Sequence, residues 1–143
     1  MRIVIINGPN LNLLGKREPE VYGDRTFDTY FDELKRKYPE VELEYLQSNV
    51  EGELITMIQE AGFYADGIIL NAAAYTHTSV GIGDAVKAVP SPVAEVHISN
   101  VYQRESYRHE SFVSPGACGV IAGFGLLGYE LALLSFIKGL TRG

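Results

Sequence analysis

Ile3-Val4-Ile5-Ile6 runs directly into Asn7-Gly8-Pro9-Asn10, and this short passage decides how the rest of the chain reads. Four consecutive β-branched residues leave no polar face, the pattern of a strand covered on both sides, as in parallel sheets. The Asn-Gly-Pro-Asn that follows ends the run in a turn, so this is not the core of a secretory signal. Working outward, Phe27, Tyr30, Phe31, Leu34 and Tyr38 recur at helical spacing and lay one apolar stripe on a helix that Pro39 ends. Residues 41–46 alternate apolar and polar, as in a half-buried strand at a sheet edge. Ser48 followed by Glu51 resembles a capping box, and Leu54, Ile55, Ile58 and Ala61 continue as a helix to Gly62. Residues 67–70 form a third strand, 79–89 a shorter helix stopped by Pro90, 92–98 a fourth strand and 119–122 a fifth. Residues 126–138 close the chain with a helix apolar on most sides, hence well buried.

Strand and helix alternating from end to end predict one domain over 1–143. The expected fold is a flavodoxin-like three-layer α/β sandwich, with a five-stranded parallel sheet of order 2-1-3-4-5 and helices on both faces. A chain of 143 residues can bury a core without disulfides but is too short for an eight-stranded α/β barrel. Eighteen acidic residues against twelve basic ones, a formal charge of −6, argue against a general nucleic-acid or anionic-membrane binder. No apolar stretch reaches the ~18 residues of a membrane span, and the chain reads as a cytoplasmic protein. Cys118 stands alone, which excludes an internal bridge and a Cys-based metal site; its setting before Gly119-Val120-Ile121-Ala122 reads as a buried strand with an inert core thiol. His77, His97 and His109 have neither HxxxH nor HxH spacing, so no metal is expected.

In doubly wound sheets, ligands bind outside the carboxyl ends of the strands. Asn10 and Asn12 follow the first strand; Asn71 and His77 follow the third; Ser99, Asn100, Arg104 and Arg108 follow the fourth, which itself carries Glu95 and His97. Alternation puts Glu95, His97 and Ser99 on one face, ~6–7 Å apart. The Glu–His pair fits a structural tie at a strand end; equally, a carboxylate can set an imidazole's tautomer and keep it a proton donor. Asn10 and Asn12 fit turn positions as well as ligand contacts, and the loop lacks the glycine spacing of a phosphate cradle. Arg17 and Tyr22 lie between Gly15 and Gly23, in a segment resembling a lid hinged at both ends. Free tyrosine titrates near 10, so service as a base near neutrality needs roughly 3–4 kcal/mol in favour of phenolate. A guanidinium at ~4 Å supplies about 1 kcal/mol in water but about 4 at an effective dielectric of 20. Only a closed lid makes Tyr22 a plausible base. Ser111, Ser114 and Ser135 lack the context of a nucleophile, and Lys16 alone among the lysines lies near the site, which disfavours an imine mechanism. The residues thus describe a proton-transfer enzyme for a small polar anion, while a flavodoxin-like FMN-binding or phosphoacceptor module and a non-catalytic interaction protein stay open.

Five motifs run in order along the chain: Asn7-Gly8-Pro9-Asn10-Leu11-Asn12-Leu13-Leu14-Gly15 with Arg17-Glu18-Pro19 and Tyr22-Gly23, Ser48-Asn49-x-Glu51-Gly52, Ala74-Tyr75-Thr76-His77-Thr78-Ser79, Glu95-Val96-His97-x-Ser99-Asn100, and Arg104-Glu105-x-x-x-Arg108-His109. Together they resemble the type II 3-dehydroquinate dehydratases. The resemblance implies dehydration of 3-dehydroquinate to 3-dehydroshikimate through an enolate, in shikimate biosynthesis or quinate breakdown. It further implies no cofactor and a homo-oligomer, a dodecamer built of trimers. Tyr22 would be the base, supported by Arg17; Asn10 would steady the enolate; and His97, oriented by Glu95, would protonate the leaving hydroxyl. Ile98 and Ser99 would hold the substrate carboxylate, Asn71, His77 and Arg108 the ring hydroxyls, and Asp84 would reach in from a neighbouring subunit. Three positions depart from the family's usual pattern. Ala72-Ala73-Ala74 replaces a sequence with a central glycine, Val50 a frequent histidine, and Gly83 a frequent arginine. The first suggests altered backbone angles, the others altered packing and subunit contacts.

Overall fold

Ile3, Val4, Ile5 and Ile6 are fully buried at the centre of the sheet, in strand β1 (Arg2–Asn7). The computed structural model describes residues 1–16, 20 and 24–139. β1 pairs with β2 (Glu42–Gln47) on one side and β3 (Gly67–Asn71) on the other; β4 (Val93–His97) and β5 (Gly119–Ala122) follow, all parallel, in the order β2-β1-β3-β4-β5. This is the flavodoxin-like topology expected from the sequence, with β2 at one edge.

The two-residue period of the strands divides the interior into two cores. Ile3, Ile5, Ile69 and Val96 pack with Phe27, Tyr30 and Leu34 of α1 (Phe27–Lys37) and with Tyr129, Leu133 and Phe136 of α4 (Leu127–Ile137). Val4, Ile6, Ile68, Leu70 and Val93 pack with Leu54 and Ile58 of α2 (Glu51–Ala61) and with Ile82 and Val86 of α3 (Val80–Ala88). Each fully buried aliphatic side chain contributes ~1.5–3 kcal/mol of transfer free energy, so shifting any central strand by one residue would exchange the two cores and is strongly disfavoured.

Helix starts follow local chemistry. Thr26 accepts a hydrogen bond from the Thr29 N–H at 3.2 Å, and Ser79 from the Ile82 N–H at 2.9 Å. The Ser48–Glu51 capping box does not form. The N-cap of α2 is Val50, and the Ser48 hydroxyl instead accepts from the Val50 N–H at 2.9 Å and pairs with Glu53. A two-residue offset between motif and helix start moved the partner from Glu51 to Glu53.

Two burial expectations are corrected at the β5 side. Cys118 is exposed, not a core thiol, because the strand it precedes is the sheet's second edge, where Val120 is 52% exposed. Burial still pushes its thiol pKa upward, so exposure does not make it reactive. α4 is apolar all round, yet Tyr129, Ala132, Leu133 and Phe136 are buried while Leu127 stays 50% exposed. The described residues cover only one of its faces.

Candidate active site

Strands β2, β1 and β3 end level with one another: register places Gln47, Asn7 and Asn71 side by side. All three carry amides, and the loops that leave them frame a cleft at the carboxyl edge of the sheet. Gly8 allows this. Its N–H donates to the Asn71 carbonyl at 2.7 Å, and a Cβ on it would lie 2.6 Å from the Ala72 carbonyl oxygen, so only glycine lets the two loops run so close.

Asn10, Asn71, His77, His97, Ile98, Ser99 and Arg108 all line this cleft, together with Arg104 and Ala73. Seven residues singled out in the sequence therefore converge. Glu95 lies beneath them, 2% exposed. Asp84 is exposed on α3 and does not line the cleft of its own chain. Arg17 and Tyr22 lie outside the described residues. The described residues Gly15 and Arg25 lie close together: a Cβ at Gly15 would be 2.9 Å from the Arg25 backbone. His109, the third histidine, is exposed and approaches the Arg104 carbonyl at 3.3 Å through Nε2.

Strand alternation brings Glu95 and His97 together as expected. His97 Nε2–H donates to Glu95 Oε2 at 2.5 Å, which leaves Nδ1 for the cleft. Burial by itself would raise the Glu95 pKa, but hydrogen bonds from His97, Ser114 and Ser111 outweigh it and hold the carboxyl below its usual range. His77 stacks against His97 with ring centroids 6.1 Å apart, and its Nδ1 bonds the Glu110 carbonyl at 2.7 Å. Burial lowers the His77 pKa, and the positive fields of His97 and Arg108 add to this against the pull of the Glu110 carbonyl, so His77 is neutral at pH 7. Nδ1 must then carry the proton, and Nε2 is an acceptor. Arg108 is steadied by Glu105, with Nε 2.7 Å from Oε2.

Asparagine side chains complete the frame. Asn71 donates from Nδ2 to the Tyr129 hydroxyl at 2.9 Å and accepts the Ala73 N–H at 3.1 Å; Tyr129 in turn donates to Asn7 Oδ1 at 2.8 Å. Tyr129 is fully buried, so its hydroxyl stays protonated and fixes the orientation of Asn71. Ala73, where the family pattern favours glycine, has φ of 53°, the left-handed conformation that the substitution suggested would be affected. Asn10 is also left-handed, with φ of 71°, and its N–H donates to Asn49 Oδ1 at 3.0 Å. Gln47 Nε2 bridges the Gly8 carbonyl and Asn49 Oδ1, both at 3.2 Å.

Sequence reading missed Tyr129, Gln47 and the serines at 111 and 114. Tyr129 looked like one more apolar-helix residue. The serines were weighed only as nucleophiles, and the one available signal was their spacing in the short Ser-Phe-Val-Ser-Pro segment. Among the described residues, no group of three or more His, Cys, Asp or Glu is placed to hold a metal ion, and no helix is long and apolar enough to cross a membrane.

The family model described as dehydroquinase class II matches residues 1–137. A 3-dehydroquinate dehydratase of an Exiguobacterium species is 55% identical over 139 residues, covering 96% of this chain and 95% of the relative. One from Shewanella baltica is 53% identical over 143 residues, covering 99% and 97%. Among solved structures, the type II dehydroquinase of Butyrivibrio crossotus superposes with a TM-score of 0.90 at 45% identity, covering 95% of this chain and 97% of that one.

Proposed function

Since this chain belongs to the class II dehydroquinase family, we propose that it removes water from 3-dehydroquinate to give 3-dehydroshikimate, in shikimate biosynthesis or quinate breakdown. The observation that carries this reading is the convergence of Asn10, Asn71, His77, His97, Ile98, Ser99 and Arg108 on one cleft, with Glu95 buried behind His97.

The reaction is an elimination. A base takes a proton from C2, and the electron pair passes into the neighbouring ketone as an enolate. As the enolate collapses, the C1–O bond breaks, the C1=C2 bond forms, and the hydroxyl leaves as water with a proton from an acid. Tyr22, kept as phenolate by Arg17, is the base; both assignments rest on the motif match. Asn10 stabilises the enolate through a bound water. His97 is the acid, delivering its proton from Nδ1 while Glu95 holds Nε2. Ile98 and Ser99 hold the substrate carboxylate. Asn71, His77 and Arg108 hold the ring hydroxyls, a task that suits a neutral His77 with an acceptor at Nε2. Donors and acceptors held in place before charge develops supply the largest part of such a rate enhancement. Side chains provide both base and acid, so the reaction needs no cofactor.

The whole chain, 1–143, acts as one catalytic domain in the cytoplasm and assembles as a dodecamer of trimers in which Asp84 completes a neighbour's site. Two observations support the assembly: Asp84 is exposed away from its own cleft, and Val120, Phe124 and Leu127 leave apolar surface uncovered.

Purified protein given 3-dehydroquinate is expected to raise the absorbance of the conjugated enone. Tyr22→Phe and Arg17→Ala should each lower turnover at least ~100-fold with the fold intact. No absorbance change from folded protein at high concentration overturns the reading.

A further inference from the structure

We propose that the loop over residues 110–114 sets the proton positions of both histidines in the cleft, with Ser111 and Ser114 acting as positioning residues for His97 through Glu95. The inference rests on His97 being the acid, as argued above, and extends it to groups that never touch the substrate.

Three donors converge on the Glu95 carboxylate. Oε2 receives His97 Nε2–H at 2.5 Å and lies 3.1 Å from Ser111 Oγ; Oε1 receives the Ser114 hydroxyl at 2.5 Å and lies 3.2 Å from Ser111 Oγ. Ser111 has no choice of role. Its oxygen already accepts the N–H groups of Val113 at 3.0 Å and Ser114 at 2.9 Å, so its single hydrogen is left for the carboxylate. A carboxyl surrounded by donors is an acceptor only. It therefore takes Nε2–H from His97 and leaves Nδ1 for the cleft. One residue earlier, the Glu110 carbonyl takes Nδ1–H from His77, so that ring presents Nε2 as an acceptor. The same loop thus fixes opposite nitrogens of the two stacked rings: His97 is held through Nε2, so Nδ1 takes up and delivers the proton at the cleft, and His77 is held through Nδ1, so Nε2 is an acceptor there.

The loop is firmly seated. The Phe112 N–H donates to the Thr76 carbonyl at 2.9 Å, and Val113 is fully buried in the core beside α3. Gly83 makes room for it, since a Cβ there would lie 2.4 Å from the Phe112 carbonyl oxygen. The departure from the family's usual arginine thus coincides with the contact that seats the loop.

The titratable and charged groups facing the pair are His97 on the same strand, His77 on the turn after β3 and Arg108 on the loop after β4. None is altered by changing the serines. Ser114→Ala removes one donor from a buried carboxylate while its burial remains, so Glu95 becomes easier to protonate and the acid limb of kcat moves to higher pH.

The test uses the full chain labelled with 15N in its three histidines, reading ring-nitrogen shifts and kcat against pH. In wild type, His97 in its neutral form carries its proton on Nε2 and His77 on Nδ1. In Ser114→Ala, Ser111→Ala and the double variant, the His97 Nε2–H population falls, while His77, whose partner is a backbone carbonyl, keeps its tautomer. Turnover falls ~10–100-fold, KM moves less, and the acid limb rises by about one pH unit, as one lost hydrogen bond to a charged group implies. Ser114→Thr, which keeps the hydroxyl, restores the profile. An unchanged His97 tautomer and unchanged pH profile in both single variants, whatever happens to thermal stability, overturn the proposal. His97→Ala tests the acid assignment separately: if it keeps full turnover, that assignment fails, and the tautomer readout in the serine variants still decides the role of the loop.

Discussion

Ala73 shows how one side chain stores strain beside a reactive site. Its φ of 53° places Cβ against the following carbonyl, which costs an L-residue roughly 1–2 kcal/mol. The conformation persists because Asn71 Oδ1 holds the Ala73 N–H, and Asn71 is itself held by buried Tyr129. Ala73→Gly removes the steric cost but adds roughly 0.5–1 kcal/mol of backbone entropy in the unfolded chain. The expected net is a gain of ~0.5–1 kcal/mol in unfolding free energy, read from the shift in denaturant midpoint at constant m-value. A loss of stability would mean that the strain is relieved in solution. Asn10 is left-handed too, but asparagine tolerates that conformation, and its N–H is held by Asn49.

At the scale of elements, the carboxyl end of β4 and the turn after β3 couple the site to folding stability. Glu95 has a native pKa below its usual 4.5, chiefly because His97, Ser114 and Ser111 overcome burial. His77 has a native pKa below its usual 6.5, chiefly because of burial. Both groups bind a proton more weakly folded than unfolded, so each contributes stability that is present above the unfolded pKa and lost as pH falls. His77 begins to take its share below about pH 6.5, and Glu95 follows below about pH 4.5. Thermal unfolding from pH 7 to pH 4 should therefore show a falling midpoint, and His77→Gln should flatten the upper part of that fall. A wild-type midpoint that rises as pH is lowered from 7 to 5 would falsify the assignment of a neutral, half-buried His77.

At the scale of the whole molecule, β5 is an edge strand of the sheet, and the described residues leave apolar side chains exposed beside it. Val120, Phe124 and Leu127 are all at least half exposed on that side. A shared site predicts complementation. Asp84→Ala and His97→Ala should each be nearly inactive, because one lacks the residue given to the neighbour and the other the residue kept at home. Mixing the two after reversible dissociation should restore part of the activity, since some interfaces then pair an intact Asp84 with an intact His97. Separate inactivity with no recovery on mixing, in particles shown by sedimentation to be mixed, would refute the shared site.

The sequence alone determined the five parallel strands, their order, the helices over Phe27–Lys37, Glu51–Ala61, Val80–Ala88 and Leu127–Ile137, and the strand ends near which Asn71, His97 and Ser99 lie. These features are legible because burial imposes a period of two on strands and 3.6 on helices, and because turn residues mark where each period stops. Tertiary structure decided the rest. It folded Ser111 and Ser114, 16 and 19 residues beyond Glu95, back onto its carboxylate. It set Tyr129 against Asn71 across a separation of 58 residues, gave Ser48 to Glu53 rather than Glu51, and left Cys118 on an open edge. Periodicity reports what a residue buries against on average. The partner of a polar side chain depends on where a loop without periodicity is pinned by packing far along the chain, and that is decided only when the elements close on one another.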